Sequence, residues 1–124
     1  MAEGATSSAL DEVEAQLEIR LPIELRDLLS RSDGFEGWFG ATFLVVFSTG
    51  ALVPVNRDIE RHPGFLAFGS DGSRELIGFD LRVTPSPVVM IDITSAGWSA
   101  ARFQAHSLEE FMAQRARGED LRYS

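Results

Sequence analysis

Cysteine and lysine are both absent from the 124 residues of the chain, so all eleven basic side chains are arginines. Without lysine the chain has no Schiff-base nucleophile and no phosphate-binding lysine of the Walker or kinase type. Without cysteine it has no thiolate nucleophile, zinc finger or iron–sulfur cluster. Long apolar runs are missing as well, because the longest, Phe43–Phe47, spans five residues, whereas a membrane-spanning helix needs about 20. We therefore expect no membrane span and none of these chemistries.

Basic residues are outnumbered, since 19 acidic residues stand against 11 arginines and give a net charge of −8. This excess opposes binding to phosphate backbones and to anionic membrane surfaces. Neither nucleic acid nor a membrane is therefore an expected partner. Most of the excess lies in residues 1–40, which contain nine acidic residues and three arginines. Met1–Ser8 lacks the basic and apolar regions of a signal peptide, so the cytoplasm is the expected compartment.

The length fits one domain, because compact domains typically have about 100 to 150 residues. Capping residues, apolar spacing and helix-ending glycines predict three helices. The first begins at Ser8, the second runs from Leu21-Pro22 to Asp33-Gly34, and the third runs from Ser107 to Gly118. We place the domain at residues 8–118 and expect flexible ends at residues 1–7 and 119–124.

Between the second and third helices the composition favours strands. Asp71-Gly72 is a strong hairpin signal, and the β-branched segment Val88–Ile93 is predicted to be buried on both faces. Asn56–His62 is predicted to form a short helix or a loop. The predicted strands are Thr42–Phe47, Leu52–Val55 (at best an edge strand, because it contains Pro54), Phe65–Phe68, Leu76–Phe79, Val88–Ile93 and Trp98–Phe103. The predicted fold is α+β, with five or six strands in an antiparallel-rich sheet.

The segment Phe35–Gly40 combines three aromatic residues with two glycines and is predicted to be a loop. Its aromatic side chains can form the lid of a core. Alternatively, Trp38 is partly exposed as an interface anchor, since tryptophan is enriched at binding hot spots and the neighbouring glycines let a loop adapt to a partner. The residue types are compatible with both interpretations.

Three acidic residues of the first predicted helix, Asp11, Glu14 and Glu18, fall on one side of its apolar stripe at 100° per residue. No arginine lies between residues 8 and 19 to neutralise them. They form either an ordinary solvated helix face or an anionic ridge that binds a basic partner.

No pattern of catalytic or metal-ligating residues stands out. Ser99 lacks the second glycine of a nucleophile elbow, and two histidines without cysteine make a transition-metal site improbable. Asp71, Glu75 and Asp80 lie close in sequence, but their spacing does not match a calcium loop. We therefore expect a non-enzymatic protein without metal or cofactor, and keep a carboxylate-dependent hydrolase as a second alternative.

Three blocks of the chain together resemble the SUKH superfamily, the Smi/Knr-like proteins. Leu10–Gly34 resembles the opening of that family, and Phe65–Gly72 with Leu76–Leu81 resembles its central hairpin. His106–Met112 resembles its terminal helix. The blocks follow the family's order and cover most of residues 10 to 115.

Two departures from the family pattern are visible. Asp33-Gly34 replaces a frequent Asn-Gly, which leaves the turn available. Ser73-Arg74-Glu75 replaces a frequent glycine and acid, and its arginine alters any acidic pocket at the hairpin.

The resemblance implies an α+β fold and, for most bacterial members, the role of an immunity protein that binds and blocks a cognate toxin. We expect a basic toxin domain as partner, for example a nuclease. The alternative is a regulatory scaffold, as in the fungal relatives. The residues that we expect at the interface are Asp11, Glu14, Glu18, Glu36, Trp38, Asp71, Glu75 and Asp80.

Overall fold

The fold is α+β, as predicted, in a computed structural model that describes residues 3–58, 64–92, 94 and 98–123. Within these residues, the fold consists of four helices and a six-stranded antiparallel sheet. In chain order the elements are α1 (Ser7–Leu17), α2 (Ile23–Arg31), β1 (Phe35–Phe39), β2 (Thr42–Val46), α3 (Thr49–Asp58), β3 (Phe65–Ser70), β4 (Glu75–Asp80), β5 (Val88–Asp92), a 3₁₀ turn (Trp98–Ala100), β6 (Arg102–Ala105) and α4 (Leu108–Ala116).

The six strands lie side by side in chain order, so β1 and β6 are the two edges of the sheet. The hairpin predicted around Asp71-Gly72 is confirmed, because β3 and β4 pair in antiparallel register on either side of it. The prediction for β5 is also confirmed, since Val88–Ile91 is buried on both faces. Ile93, the last residue of that predicted strand, lies outside the described residues.

The core occupies both faces of the sheet. One face, which we call the helix side, carries alternate strand residues that pack against the helices. Its largest buried side chains include Leu25, Leu29, Leu44, Phe68, Ile77, Phe79, Met90 and Phe111. The opposite face buries a smaller cluster, formed by Phe65, Ala67, Leu76, Val89 and Ile91, with Trp98 packed against it. Period-two alternation in the strands produces this division.

Two helix starts show how local capping was predicted well in one case and displaced in the other. At α4, the Ser107 hydroxyl accepts from the Glu110 N–H at 3.0 Å, as the sequence predicted. At α1, the cap is Thr6 rather than Ser8, because the Thr6 hydroxyl accepts from the Ala9 N–H at 3.1 Å. The helix therefore begins at Ser7, one residue earlier than predicted.

The prediction of a strand at Leu52–Val55 is wrong, because this segment lies in the middle of α3. The reason is a long-range cap that propensity cannot show. The Asp33 carboxylate accepts from both the N–H and the hydroxyl of Thr49, at 2.7 and 2.9 Å, and so satisfies the start of the helix. Pro54 lacks an N–H and so removes one helical hydrogen bond, but both Pro54 and Gly50, whose carbonyl loses its partner, are exposed to water.

Two further predictions need correction at strand boundaries. Phe35–Gly40 is not a loop, since Phe35–Phe39 forms the regular edge strand β1. Trp98–Phe103 is not one strand, because it begins as a 3₁₀ turn and β6 starts only at Arg102. Of Asn56–His62, the first three residues complete α3 and residues 59–62 lie outside the described residues.

Both ends of the described chain have contacts that the sequence analysis did not anticipate. Near the start, the Ala5 N–H donates to the Leu29 carbonyl at 2.7 Å. Beyond α4, Leu121 is buried, and the Gln104 side chain pairs with both the N–H and the carbonyl of Arg122, at 2.9 and 2.7 Å. Arg115, in the last turn of α4, is buried as well.

The side chain of Asn56 replaces a missing strand beside β3. Strand β2 pairs with β3 only at Val45 and Val46, so the first half of β3 lacks a neighbour on that side. The Asn56 amide fills this gap: it accepts from the Ala67 N–H at 2.8 Å and donates to the Ala67 carbonyl at 2.9 Å. Because Ala67 is fully buried, water cannot take over these bonds.

We predict that Asn56→Ala lowers the free energy of unfolding by about 2–4 kcal/mol, since it leaves two buried backbone groups without partners. Urea denaturation monitored by circular dichroism measures the change. The neighbouring variant Arg57→Ala serves as a control, because Arg57 is exposed and its substitution should change the stability by no more than about 0.5 kcal/mol. Equal stability of the two variants would contradict the role of Asn56.

Candidate protein-binding surface

The anionic ridge predicted on the first helix is partly compensated by one arginine outside that helix. Arg26 of α2 forms ion pairs with Asp11 at 3.2 Å and with Glu14 at 3.0 Å. Glu14 also accepts from the Leu21 N–H at 2.7 Å, which fixes the connection between α1 and α2. The expectation that no arginine compensates the ridge is therefore wrong, because Arg26 lies beyond residues 8–19, the segment that contains no arginine. Glu18 remains exposed, at the left-handed C-terminal cap of α1.

The three carboxylates of the central hairpin are held separately rather than gathered in one pocket. Glu75 and Asp80 occupy the two ends of β4, about 16 Å apart for five residues of extended chain. Glu75 forms a partly buried ion pair with Arg102. Asp71 accepts from backbone groups of its own turn and from the Tyr123 hydroxyl at 3.0 Å.

The third carboxylate, Asp80, is paired with Arg82. The Arg82 guanidinium donates to both carboxylate oxygens of Asp80, at 2.9 and 3.0 Å. These hydrogen bonds hold the pKa of Asp80 below its ordinary value of 3.8, although partial burial acts in the opposite direction. Arg82 also stacks on the Trp98 ring, 3.6 Å from its centroid. These contacts give all three hairpin carboxylates a role in holding the fold.

The remaining predicted residues, Glu36 and Trp38, lie on the edge strand β1. Strands β1 and β2 are joined by a two-residue turn, Gly40-Ala41, and pair without a bulge from Phe35 opposite Val46 to Phe39 opposite Thr42. Gly40 has φ +63°, which fits the first central position of a type II′ turn. The glycines that suggested a loop therefore serve a regular hairpin.

Alternation along β1 separates its aromatic side chains. Phe35 and Phe39 pack against the core on the helix side, as the lid interpretation expected. Glu36 and Trp38 point to the opposite side and are exposed, with 70% of the Trp38 side chain accessible. The lid interpretation is confirmed for Phe35 and Phe39 and wrong for Trp38, whose role as an interface anchor stays a prediction.

Phe43 of β2 packs against the Trp38 ring, a contact that the sequence analysis did not predict. The two residues are directly opposite in the hairpin register, and their rings meet edge to face with centroids 5.2 Å apart. The signal was present in the sequence, because a two-residue Gly-Ala turn pairs residue 38 with residue 43. Exposed aromatic pairs of this kind offer rigid apolar area at low entropic cost.

A groove between α2 and α4 is a second surface feature that the sequence did not reveal. Its volume is about 320 Å³, with an apolar floor formed by Leu28, Leu108 and Met112. Glu24 and Glu109 lie on its rim, and the Glu24 carboxylate accepts from the Glu109 N–H at 2.9 Å. Glu24 is therefore already engaged with the start of α4.

Among the described residues, no three His, Asp or Glu side chains converge as a metal site would require. Over the same part of the chain, no helix has the length and apolarity needed to cross a membrane.

Comparison with known proteins gives one clear result. The model of the SMI1/KNR4 family (SUKH-1) matches residues 4–114, which is most of the chain. No curated protein gives a significant match.

The Asp80–Arg82 pair leads to a prediction of pH-dependent stability. Because the folded-state pKa of Asp80 lies below 3.8, its ionised form stabilises the fold above that pH, and the contribution is lost as the pH falls through the folded pKa. We predict that wild type is more stable than Asp80→Asn at pH 6 and that the difference shrinks below about pH 3.8. Urea denaturation from pH 2 to pH 7 measures it.

Asp27→Asn is the control for this series, since it removes one negative charge from the exposed Asp27–Arg31 pair. A stability difference between wild type and Asp80→Asn that stays constant across the pH range would contradict the assignment.

Proposed function

We propose, since the chain belongs to the SMI1/KNR4 family (SUKH-1), that it is an immunity protein that binds and neutralises a cognate protein toxin. Membership of the family supports a protein-interaction role of the immunity or regulator type. Our proposal goes one step further and takes the partner to be a toxin with a basic domain, such as a nuclease. The cytoplasm is the compartment in which such a protein would act.

The observation that carries the proposal is the exposure of Trp38. A tryptophan that is 70% exposed on an edge strand loses the favourable free energy of burying a large apolar side chain. Trp38 does not hold the hairpin alone, because Phe35 and Phe39 of the same strand already pack against the core. A partner that covers Trp38 would recover this free energy, which is how hot-spot tryptophans act.

The charge of the chain supports a basic partner. The net charge of −8 favours the approach of a cationic surface and can raise association rates by two or more orders of magnitude at low salt. A domain that acts on nucleic acid carries a basic surface. Glu36, next to Trp38 on the exposed side of β1, places one such charge at the proposed contact.

Neutralisation by binding requires no chemistry from this chain. We infer that it is not an enzyme, and the separation of Asp71, Glu75 and Asp80 supports this inference. Each of them is engaged with its own partner, so a hydrolase would need carboxylates from elsewhere.

The function can be tested by affinity capture from the native host. The tagged chain is used to isolate a stoichiometric partner, and that partner is then expressed in a sensitive cell with and without the chain. We expect a toxic protein whose toxicity disappears when the chain is present in equal amount. A stoichiometric partner without toxicity, such as a host enzyme, would contradict the immunity role.

We predict that Trp38→Ala weakens the affinity for the captured partner by about 30-fold, as expected when a hot-spot residue that contributes about 2 kcal/mol is truncated. The matched control is Ile23→Ala, because Ile23 is the most exposed large apolar residue of the described chain, at 85%, and lies on α2. Isothermal titration calorimetry measures both variants. Equal affinities for the two would remove Trp38 from the interface.

A further inference from the structure

We propose that the outer edge of β1 binds an extended, cationic segment of the partner protein as a seventh strand of the sheet. This inference rests on the proposed function in so far as it needs a protein partner. It specifies how that partner is held: by backbone hydrogen bonds to β1, with cationic side chains over Glu36 and Trp38.

The hairpin geometry determines which backbone groups of β1 face outward. In a two-residue hairpin the residues that flank the turn, here Phe39 and Thr42, form a hydrogen-bonded pair. Hydrogen-bonded and non-hydrogen-bonded pairs alternate along an antiparallel ladder. Glu36 and Trp38 therefore belong to non-hydrogen-bonded pairs, and their N–H and carbonyl groups point away from β2. The close approach of the Trp38 and Phe43 rings agrees with this assignment.

These outward groups have no partner within the part of the chain that the structure describes. Among residues 3–58, 64–92, 94 and 98–123, no residue outside β2 forms a hydrogen bond with Glu36 or Trp38. The strand also lacks the usual protection of an edge, since it has five paired residues, no bulge, no proline and one charged side chain. An unprotected edge of this kind is a template for the addition of a strand.

The opposite edge of the sheet shows the contrast. Strand β6 has only four residues, and its register shifts at Gln104, as at a bulge. The Gln104 side chain binds the backbone of Arg122, so the C-terminal segment is held beside this strand. A register shift and a covering segment are devices that prevent pairing, and β1 has neither of them within the described residues.

The exposed side chains of β1 select the charge of the added strand. Glu36 and Trp38 lie on the same side, two residues apart, and Glu36 has no ion pair among the described residues. A carboxylate and the face of an indole both attract cations. A strand with arginine or lysine at alternate positions can therefore place one cation over each of them.

A second copy of this chain is a poorer occupant of the edge. Two copies would each bring a net charge of −8 and would repel one another. The chain itself contains no lysine and no basic residue in β1 that could face Glu36. Charge therefore favours a cationic segment of another protein over a symmetric dimer.

The test uses a fluorescent nine-residue peptide that alternates arginine and valine, and two N-methylated versions of it. In an added antiparallel strand, residues opposite Glu36 and Trp38 carry the cations and exchange backbone hydrogen bonds with them. Methylating the backbone nitrogens of the arginines should therefore weaken binding at least tenfold, since each lost hydrogen bond is worth about 1 kcal/mol. Methylating the backbone nitrogens of the valines, which point away from β1, should leave the affinity unchanged.

A pair of protein variants tests the same bonds from the other side. Glu36→Ala removes the charge but keeps the outward N–H, whereas Glu36→Pro removes both. Proline is tolerated on an edge strand when its nitrogen faces solvent, so we expect a folded protein that binds the peptide about tenfold more weakly than Glu36→Ala. Circular dichroism checks the fold. If Glu36→Pro does not fold, the methylated peptides with wild-type protein decide the question alone.

Several results would overturn the proposal. These are no binding of the unmodified peptide, equal binding of the two methylated peptides, equal binding by folded Glu36→Pro and Glu36→Ala, or a wild-type dimer formed through β1 in size-exclusion chromatography with light scattering. Because the peptide assay uses no toxin, its outcome is separate from that of the capture experiment. A cationic strand can bind β1 even if the natural partner is harmless, and a toxin can bind through other residues.

Discussion

The architecture depends on one constraint, that strand edges in a sheet must find hydrogen-bond partners or remain open to solvent. Beside the buried first half of β3, where β2 does not pair, a side chain supplies the partner. The Asn56 amide pairs with Ala67 in place of a missing strand, and the Asp33 carboxylate caps α3, which carries Asn56. Strand β1 is an exposed edge instead, and its outward backbone groups have no partner within the described chain. The same constraint that explains the fold therefore points to the candidate surface.

The acidic residues of this protein act in two ways, through the long-range field of the net charge of −8 and through local contacts. Several acidic residues of the helices and hairpin are engaged in local contacts, as Glu14 and Asp80 show with Arg26 and Arg82. These carboxylates contribute to the long-range field but are not free to bind a partner without loss of a structural contact. Glu36 differs, since it is exposed, has no ion pair among the described residues and lies beside Trp38, the most exposed of their aromatic side chains. We therefore assign the long-range attraction of a cationic partner to all the acidic residues together, and direct contact with that partner to Glu36.

Local patterns were sufficient for a large part of the fold and for little of the surface. Apolar spacing predicted α1, the Asp-Gly turn predicted the central hairpin, and the β-branched run predicted a strand buried on both faces. The failures involve partners that are distant in sequence. The start of α3 is capped by Asp33, sixteen positions before the first residue of the helix. Part of the charge of the acidic ridge is compensated by Arg26 of the following helix. At β1, the glycine content led to the prediction of a loop, although Gly40-Ala41 is compatible with a two-residue hairpin turn. Its exposed face could not be deduced, because exposure depends on which elements cover the sheet.

The central claim is that β1 presents open backbone groups at Glu36 and Trp38. Amide hydrogen exchange of the free protein, followed residue by residue by nuclear magnetic resonance, tests it most directly. We predict that the amides of Glu36 and Trp38 exchange rapidly, while those of Gly37 and Phe39, which bond to β2, are protected. Equal protection of all four amides would show that the edge is already covered and would contradict the account.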